Sequence, residues 1–170
     1  MLKLQTHHIQ IMKTHAESTY PEECCGLLLG EIAKEVKTLI EVFPTENSWN
    51  DEAAQAFSGI DKTINPSSTK RNRFSIDPKI MLKVQKDARD GEASRRHRNL
   101  GIIGVYHSHP DYPAVPSEFD RAIAHQEYSY IIISVQQGVA SDVGSWSLTD
   151  KRQFQPEELT EDGGMRGLKG

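Results

Sequence analysis

The sequence predicts a single domain that mixes α-helices with β-strands, and three observations carry that reading. Its 170 residues suit one core, since domains most often run to about 100–150 residues. Apolar residues recur at helical spacing in some stretches and form short strand-like runs in others. Neither an internal repeat nor a second apolar block points to another domain.

Taken in order, Thr6 is placed to cap a helix over 6–20, where Ile9, Met12 and Ala16 recur three and four apart and Pro21 ends the run. Glu23-Cys-Cys-Gly-Leu-Leu-Leu-Gly30 reads as a mostly apolar strand buried on both faces. Val36, Leu39, Ile40, Val42 and Phe43 supply the next strand. From Thr45 to Arg73 the composition turns to Asn, Ser, Asp, Lys and Pro, with Trp49, Phe57, Ile60 and Ile64 as isolated apolar anchors. That stretch is expected to be a long insertion outside the core.

Asp77-Pro78 opens a second helix, cap residue then first-turn proline, running through Met81, Leu82, Val84 and Ala88 to Gly91. Leu100–Tyr106 is the next apolar strand, and Ser117–His125 a short helix carrying Phe119, Ala122, Ile123 and Ala124. Tyr130–Val135 is a buried strand, Val143–Leu148 alternates like another, and Arg152–Gln155 is placed to pair with it as a hairpin. From Glu157 the chain turns polar and Gly-rich, so residues 157–170 are expected to be a disordered tail behind a domain of residues 1–156.

A formal charge of −4 leaves no electrostatic footprint for nucleic acid. The local clusters Lys70–Arg73 and Arg95–Arg98 read as solvated loops. Lys3, His7, His8 and Lys13 interrupt the first fifteen residues, so no secretory segment is visible. No apolar run approaches the ~20 residues that cross a bilayer. The expectation is a soluble, cytoplasmic protein with no membrane partner. The only cysteines, Cys24 and Cys25, are adjacent and badly placed for a disulfide, and they read as small buried residues.

The chemistry gathers at His107-Ser-His109. Side chains two apart on a strand project to one side, so both imidazoles leave the end of the Leu100–Tyr106 run together. Pro110, Pro113 and Pro116 stiffen the return to the next helix, where Ser117 and Asp120 share a face. Two imidazoles and a carboxylate suit Zn²⁺ and leave a fourth position for water, the pattern of a catalytic ion. Such a site needs a group to move the water's proton, and the residues nominate Glu22 and Glu23 at the lip of the buried strand. Ser117 is placed to donate to an oxyanion, although Ser-x-x-Asp before apolar residues is also a capping-box signature. His7, His8, His15, His97 and His125 have no such partners and read as structural or surface residues.

Glu23 with His107-Ser-His109, seven residues, Ser117, two residues and Asp120 resembles the signature of the JAMM (JAB1/MPN/Mov34) metallopeptidase family, in its compact prokaryotic branch. The family's glutamate precedes a glycine by three, as Glu23 precedes Gly26, and this selects Glu23 over Glu22. The resemblance spans the first helix to about Leu148. It implies an α/β fold, a curved mixed sheet flanked by a few helices with cytidine-deaminase-like layering. It further implies one Zn²⁺ on His107, His109 and Asp120, Glu23 as general acid/base and Ser117 steadying the intermediate. The implied reaction is hydrolysis of a peptide or isopeptide bond, typically after the C-terminal glycine of a ubiquitin-like or sulfur-carrier protein. The long second insertion of polyubiquitin-cleaving relatives is missing, since the chain runs from Arg121 straight to Tyr130. Segment 45–73 is then expected to flank the groove and hold a substrate tail by strand addition, or else to be mobile. Two rivals remain, a non-catalytic interaction module of the same fold and a peptidase acting on cell-wall or small peptides.

Overall fold

The computed structural model describes residues 1–62, 64–65, 67–91, 96–97 and 99–162. Its elements run β1 (Leu2–Gln5), α1 (Thr6–Thr19), β2 (Cys25–Ala33), β3 (Val36–Thr45), α2 (Asp51–Phe57), α3 (Pro78–Asp90), β4 (Gly101–Pro110), α4 (Glu118–Ile123), β5 (Ser129–Gln136), β6 (Val139–Leu148), β7 (Phe154–Pro156) and β8 (Leu159–Asp162). The strands form one sheet in the order β7-β6-β5-β4-β2-β3-β1-β8. The sheet is mixed: β4 and β5 are parallel, β1 is parallel to β3 and to β8, and the other neighbours are antiparallel. It is also curved. Lys37 on β3 donates from Nζ to Ser129 Oγ on β5 at 3.0 Å, although β2 and β4 lie between those strands.

Helices cover both faces, as the α/β expectation requires. On one face α1 sets Met12 and Ala16 against Leu28, Ile103, Tyr106, Ile131 and Ile133. On the other, Leu27, Leu29, Val105 and Tyr130 meet Trp49, Phe74, Val84, Ala88 and Phe119 from α3, α4 and the segments beside them. The central strands therefore bury alternate residues on opposite sides, which is why β2 reads as a continuous apolar run. The register between β2 and β4 shifts between Leu28 and Leu29, leaving Ile103 without a partner between Ile102 and Gly104. Such a bulge reverses the alternation. Ile103 and Tyr106 consequently share the α1 face, whereas Val105 belongs to the cluster that contains Phe74 and Phe119.

Gly26 permits a close approach on that first face. A Cβ there would stand 2.6 Å from Tyr106 Cζ and 2.7 Å from the Phe43 carbonyl oxygen. Tyr106 uses the space to lie across β2 and hold His15 Nδ1 through its hydroxyl at 2.8 Å.

Several boundaries differ from the sequence expectation. Gln5 rather than Thr6 is the cap of α1, and its N–H donates to His8 Nδ1 at 3.1 Å. The short β1 is too brief to show a period of its own. Segment 45–73 is not merely an insertion outside the core. Asn50 caps α2 by accepting from the Ala53 N–H at 2.9 Å, and Trp49 is buried. Among the described residues of 46–73 there is a helix, α2, and no strand. The expectation of a disordered tail from Glu157 fails over its first residues, because β8 pairs with β1 from Leu159 to Asp162. Residues 163–170, like Arg95 and Arg98 of the second basic cluster, lie outside the described residues. No helix among the described residues is long and apolar enough to cross a membrane.

Candidate metal centre

His107 and His109 sit inside β4, paired to β5 opposite Ile132 and Ser134, so the backbone of both is fixed by a central strand. Their Nε2 atoms stand 3.1 Å apart. Asp120 reaches them from α4, with Oδ1 at 3.1 Å from His107 Nε2 and Oδ2 at 3.4 Å from His109 Nε2. All three side chains are buried, and one candidate ligand atom from each lies within 4.8 Å of the others. A tetrahedral ion with bonds of ~2.0–2.1 Å spaces its ligand atoms by roughly 3.3–3.4 Å. The observed separations match that spacing, so the donor set fits a small divalent ion.

The ring orientations are set by neighbours. His109 Nδ1 lies 2.9 Å from the Pro113 carbonyl oxygen. A carbonyl can only accept, so Nδ1 carries the proton and Nε2 keeps its lone pair for the cluster. His107 stacks on Phe74 with ring centroids 4.5 Å apart, and its Nδ1 is buried without a hydrogen-bond partner among the described residues. Its polar neighbours are thus all on the Nε2 side.

Asp120 is oriented by Ser117. The Ser117 N–H donates to Asp120 Oδ2 at 2.6 Å and the Ser117 hydroxyl donates to the same oxygen at 2.8 Å, while Ser117 Oγ stands 3.1 Å from the Asp120 N–H. The capping box and the ligand set are therefore one structure: the motif that starts α4 also aims its carboxylate.

Electrostatics follow from burial. Burial works to raise the Asp120 pKa, yet His107 and His109 hold it well below the usual carboxylate range. Burial lowers His107, against the pull of Asp120, and favours the neutral ring that a metal needs. Burial also acts to lower His109, but Asp120, Glu23 and the Pro113 carbonyl together raise it, so the position attracts positive charge.

Glu23 lines the same cleft as His109 and Ser117 and is 6% exposed, whereas Glu22 faces solvent. Burial drives the Glu23 pKa up to about 8, opposed by His109 and reinforced by Asp120. The sequence-predicted residues Glu23, His107, His109, Ser117 and Asp120 thus come together, and Glu22 does not join them. Cys24 and Cys25 are free and buried, with burial pushing their thiols up to about 12 and about 11.

Sequence reasoning missed the support from segment 45–73. Asn47 Nδ2 donates to the Glu23 carbonyl at 3.0 Å and to the Arg73 carbonyl at 2.9 Å, and the Glu23 N–H donates to Lys70 O at 2.7 Å. A buried asparagine inside a polar stretch gives no periodic signal by which to find it. Phe74 also lines a separate apolar cavity of about 250 Å³ with Met81, Val105 and Tyr130, which contains none of the ligand residues.

A mixed α/β sheet with a two-histidine, one-aspartate cluster at the end of a central strand defines the class. The profile described as prokaryotic homologs of the JAB domain matches residues 5–149, and the chain belongs to that family. No curated protein matches the sequence. Among solved structures, a Desulfitobacterium hafniense protein determined in solution shares 25% identity with a TM-score of 0.68, covering 98% of this chain and 96% of its own. A Salinibacter ruber protein, also determined in solution, shares 25% identity with a TM-score of 0.58, covering 95% and 92%. A JAB1/MPN domain protein from Archaeoglobus fulgidus shares 15% identity with a TM-score of 0.49, covering 95% and 97%.

Proposed function

We propose that the protein is a zinc-dependent hydrolase that cuts a peptide or isopeptide bond at the C-terminal glycine of a ubiquitin-like or sulfur-carrier protein, acting in the cytoplasm. The observation that carries this reading is the convergence of His107, His109 and Asp120 at 3.1–3.4 Å, with His109 lining the cleft that the buried Glu23 also lines. Zinc held there would supply a Lewis acid for the carbonyl and lower the pKa of the attacking water toward ~7.

The remaining work falls to the chain's own groups. Glu23 takes a proton from water as the C–O bond forms and returns one to the departing nitrogen as the C–N bond breaks. Its pKa of about 8 would be drawn down by a cation at the cluster, so both protonation states are accessible near neutral pH. The Ser117 N–H keeps its bond to Asp120, and the Ser117 hydroxyl, exposed at the cleft, turns its one proton from Asp120 to the oxyanion of the tetrahedral intermediate. A buried carboxyl with a raised pKa beside the ligand set favours catalysis over a purely scaffolding role.

The test is cleavage of ubiquitin-like and sulfur-carrier proteins bearing C-terminal extensions. The zinc-loaded protein is expected to release the extension, and chelation or Glu23→Gln to stop it. Cleavage that survives both changes removes the reading.

A further inference from the structure

The cleft of about 560 Å³ beside the ligands has two unlike walls. Tyr112, Pro113 and Val115 from the turn after β4 form an apolar one, with Tyr112 and Val115 exposed by 67% and 55%. Arg71, Asn72 and Arg73 form a cationic one. The cationic wall is fixed to the acid/base itself: Asn47 bonds the carbonyls of both Glu23 and Arg73, and Lys70 O accepts the Glu23 N–H. Arg73 lies with its guanidinium 5.0 Å from the centre of the Phe119 ring and donates to Asn72 O at 2.7 Å. The Arg71 side chain is exposed, its charge acts on Tyr20, and it makes no hydrogen bond or ion pair among the described residues.

In hydrolysis the proton carried by Glu23 goes to the departing nitrogen, so the leaving residue must lie on the Glu23 side of the scissile bond. Arg73 is near enough for its charge to act on Glu23. The arginine wall therefore flanks the leaving residue rather than the acyl chain.

We propose that Arg71, backed by Arg73, is an anion-recognition subsite, and that the residue released by this hydrolase carries a carboxylate. The fork of an arginine side chain suits that group bidentately. The carboxylate is supplied either by the free C-terminus of a single leaving residue or by an acidic side chain on a longer leaving segment. The inference rests on the hydrolase reading for its orientation, and its test separates the two.

Three peptides serve as probes, ending Gly-Gly-Ala with a free carboxylate, Gly-Gly-Ala-amide and Gly-Gly-Glu-amide. Their binding is measured calorimetrically on zinc-loaded Glu23→Gln protein, where turnover is blocked. The free carboxylate is expected to bind about two- to fivefold more tightly than its amide, as an exposed charge-assisted contact allows. Arg71→Ala in the same background is expected to abolish the difference. Equal tightening by Gly-Gly-Glu-amide supports the subsite and assigns the anion to a side chain. Equal affinities for all three, no detectable binding of any, or a preference that survives Arg71→Ala overturns it. Cleavage by the wild-type protein is then scored separately. A carboxylate preference in binding with no cleavage refutes the hydrolase and leaves the subsite standing, whereas equal cleavage with equal binding does the reverse.

Discussion

Replacing Glu23 by glutamine should make the metal-free protein more stable at neutral pH. The carboxyl is 6% exposed and its pKa is raised by burial from 4.5 to about 8. Below pH 4.5 the acid is neutral in both folded and unfolded chains and costs nothing. As pH rises, the unfolded chain ionises while the folded chain keeps its proton, so stability falls by about 1.4 kcal/mol per pH unit. The loss reaches roughly 3 kcal/mol at pH 7 and is complete above the folded pKa of about 8. Glutamine has nearly the same volume and no charge to lose. Urea midpoints with chelator present should therefore place Glu23→Gln about 3 kcal/mol above wild type at pH 7, with the gap closing near pH 4. Equal gaps at the two pH values, or a less stable variant at pH 7, would refute the reasoning. Titrating groups that do not interact with Glu23 cancel in the comparison, whereas His109, which Glu23 raises, adds its own smaller pH dependence.

Three further outcomes follow from the packing around the site. Ser117→Ala removes the side-chain half of the α4 cap and the hydroxyl that holds Asp120; thermal unfolding should show a loss of about 1 kcal/mol and metal titration a 10–100-fold loss of affinity, roughly that seen for groups that orient ligands. Gly26→Ala forces its methyl against Tyr106 and the Phe43 carbonyl, so destabilisation of about 1–3 kcal/mol should appear by denaturant titration. Phe119→Ala empties a position 2% exposed, whose ring meets Trp49, Phe57 and Phe74 at centroid distances of 5.5, 5.8 and 6.2 Å. Its cost should be about 3–5 kcal/mol, read from the urea midpoint, with metal affinity falling as α4 loosens.

The candidate ligands are legible in the sequence because a strand with period two and a helix with i, i+3 neighbours fix which side chains share a face. The proline-bearing return between His109 and Ser117 then leaves little freedom in how the two elements meet. What was not legible depends on partners distant in sequence. Asn47, 24 residues from Glu23 and 26 from Arg73, holds two chain segments through a single amide. The strand Leu159–Asp162 exists only because β1 offers it an edge, and its own composition reads as tail. Trp49 and Phe57 read in sequence as isolated apolar anchors, and they gain meaning only beside Phe119.

The most direct measurement is a calorimetric titration of zinc into chelator-stripped protein at neutral pH. Wild type should take up one equivalent, and Asp120→Ala and His109→Ala should each weaken that uptake by at least about 100-fold through loss of one of three ligands. No uptake by the wild type, or full-strength uptake by Asp120→Ala, would contradict a metal centre built from His107, His109 and Asp120.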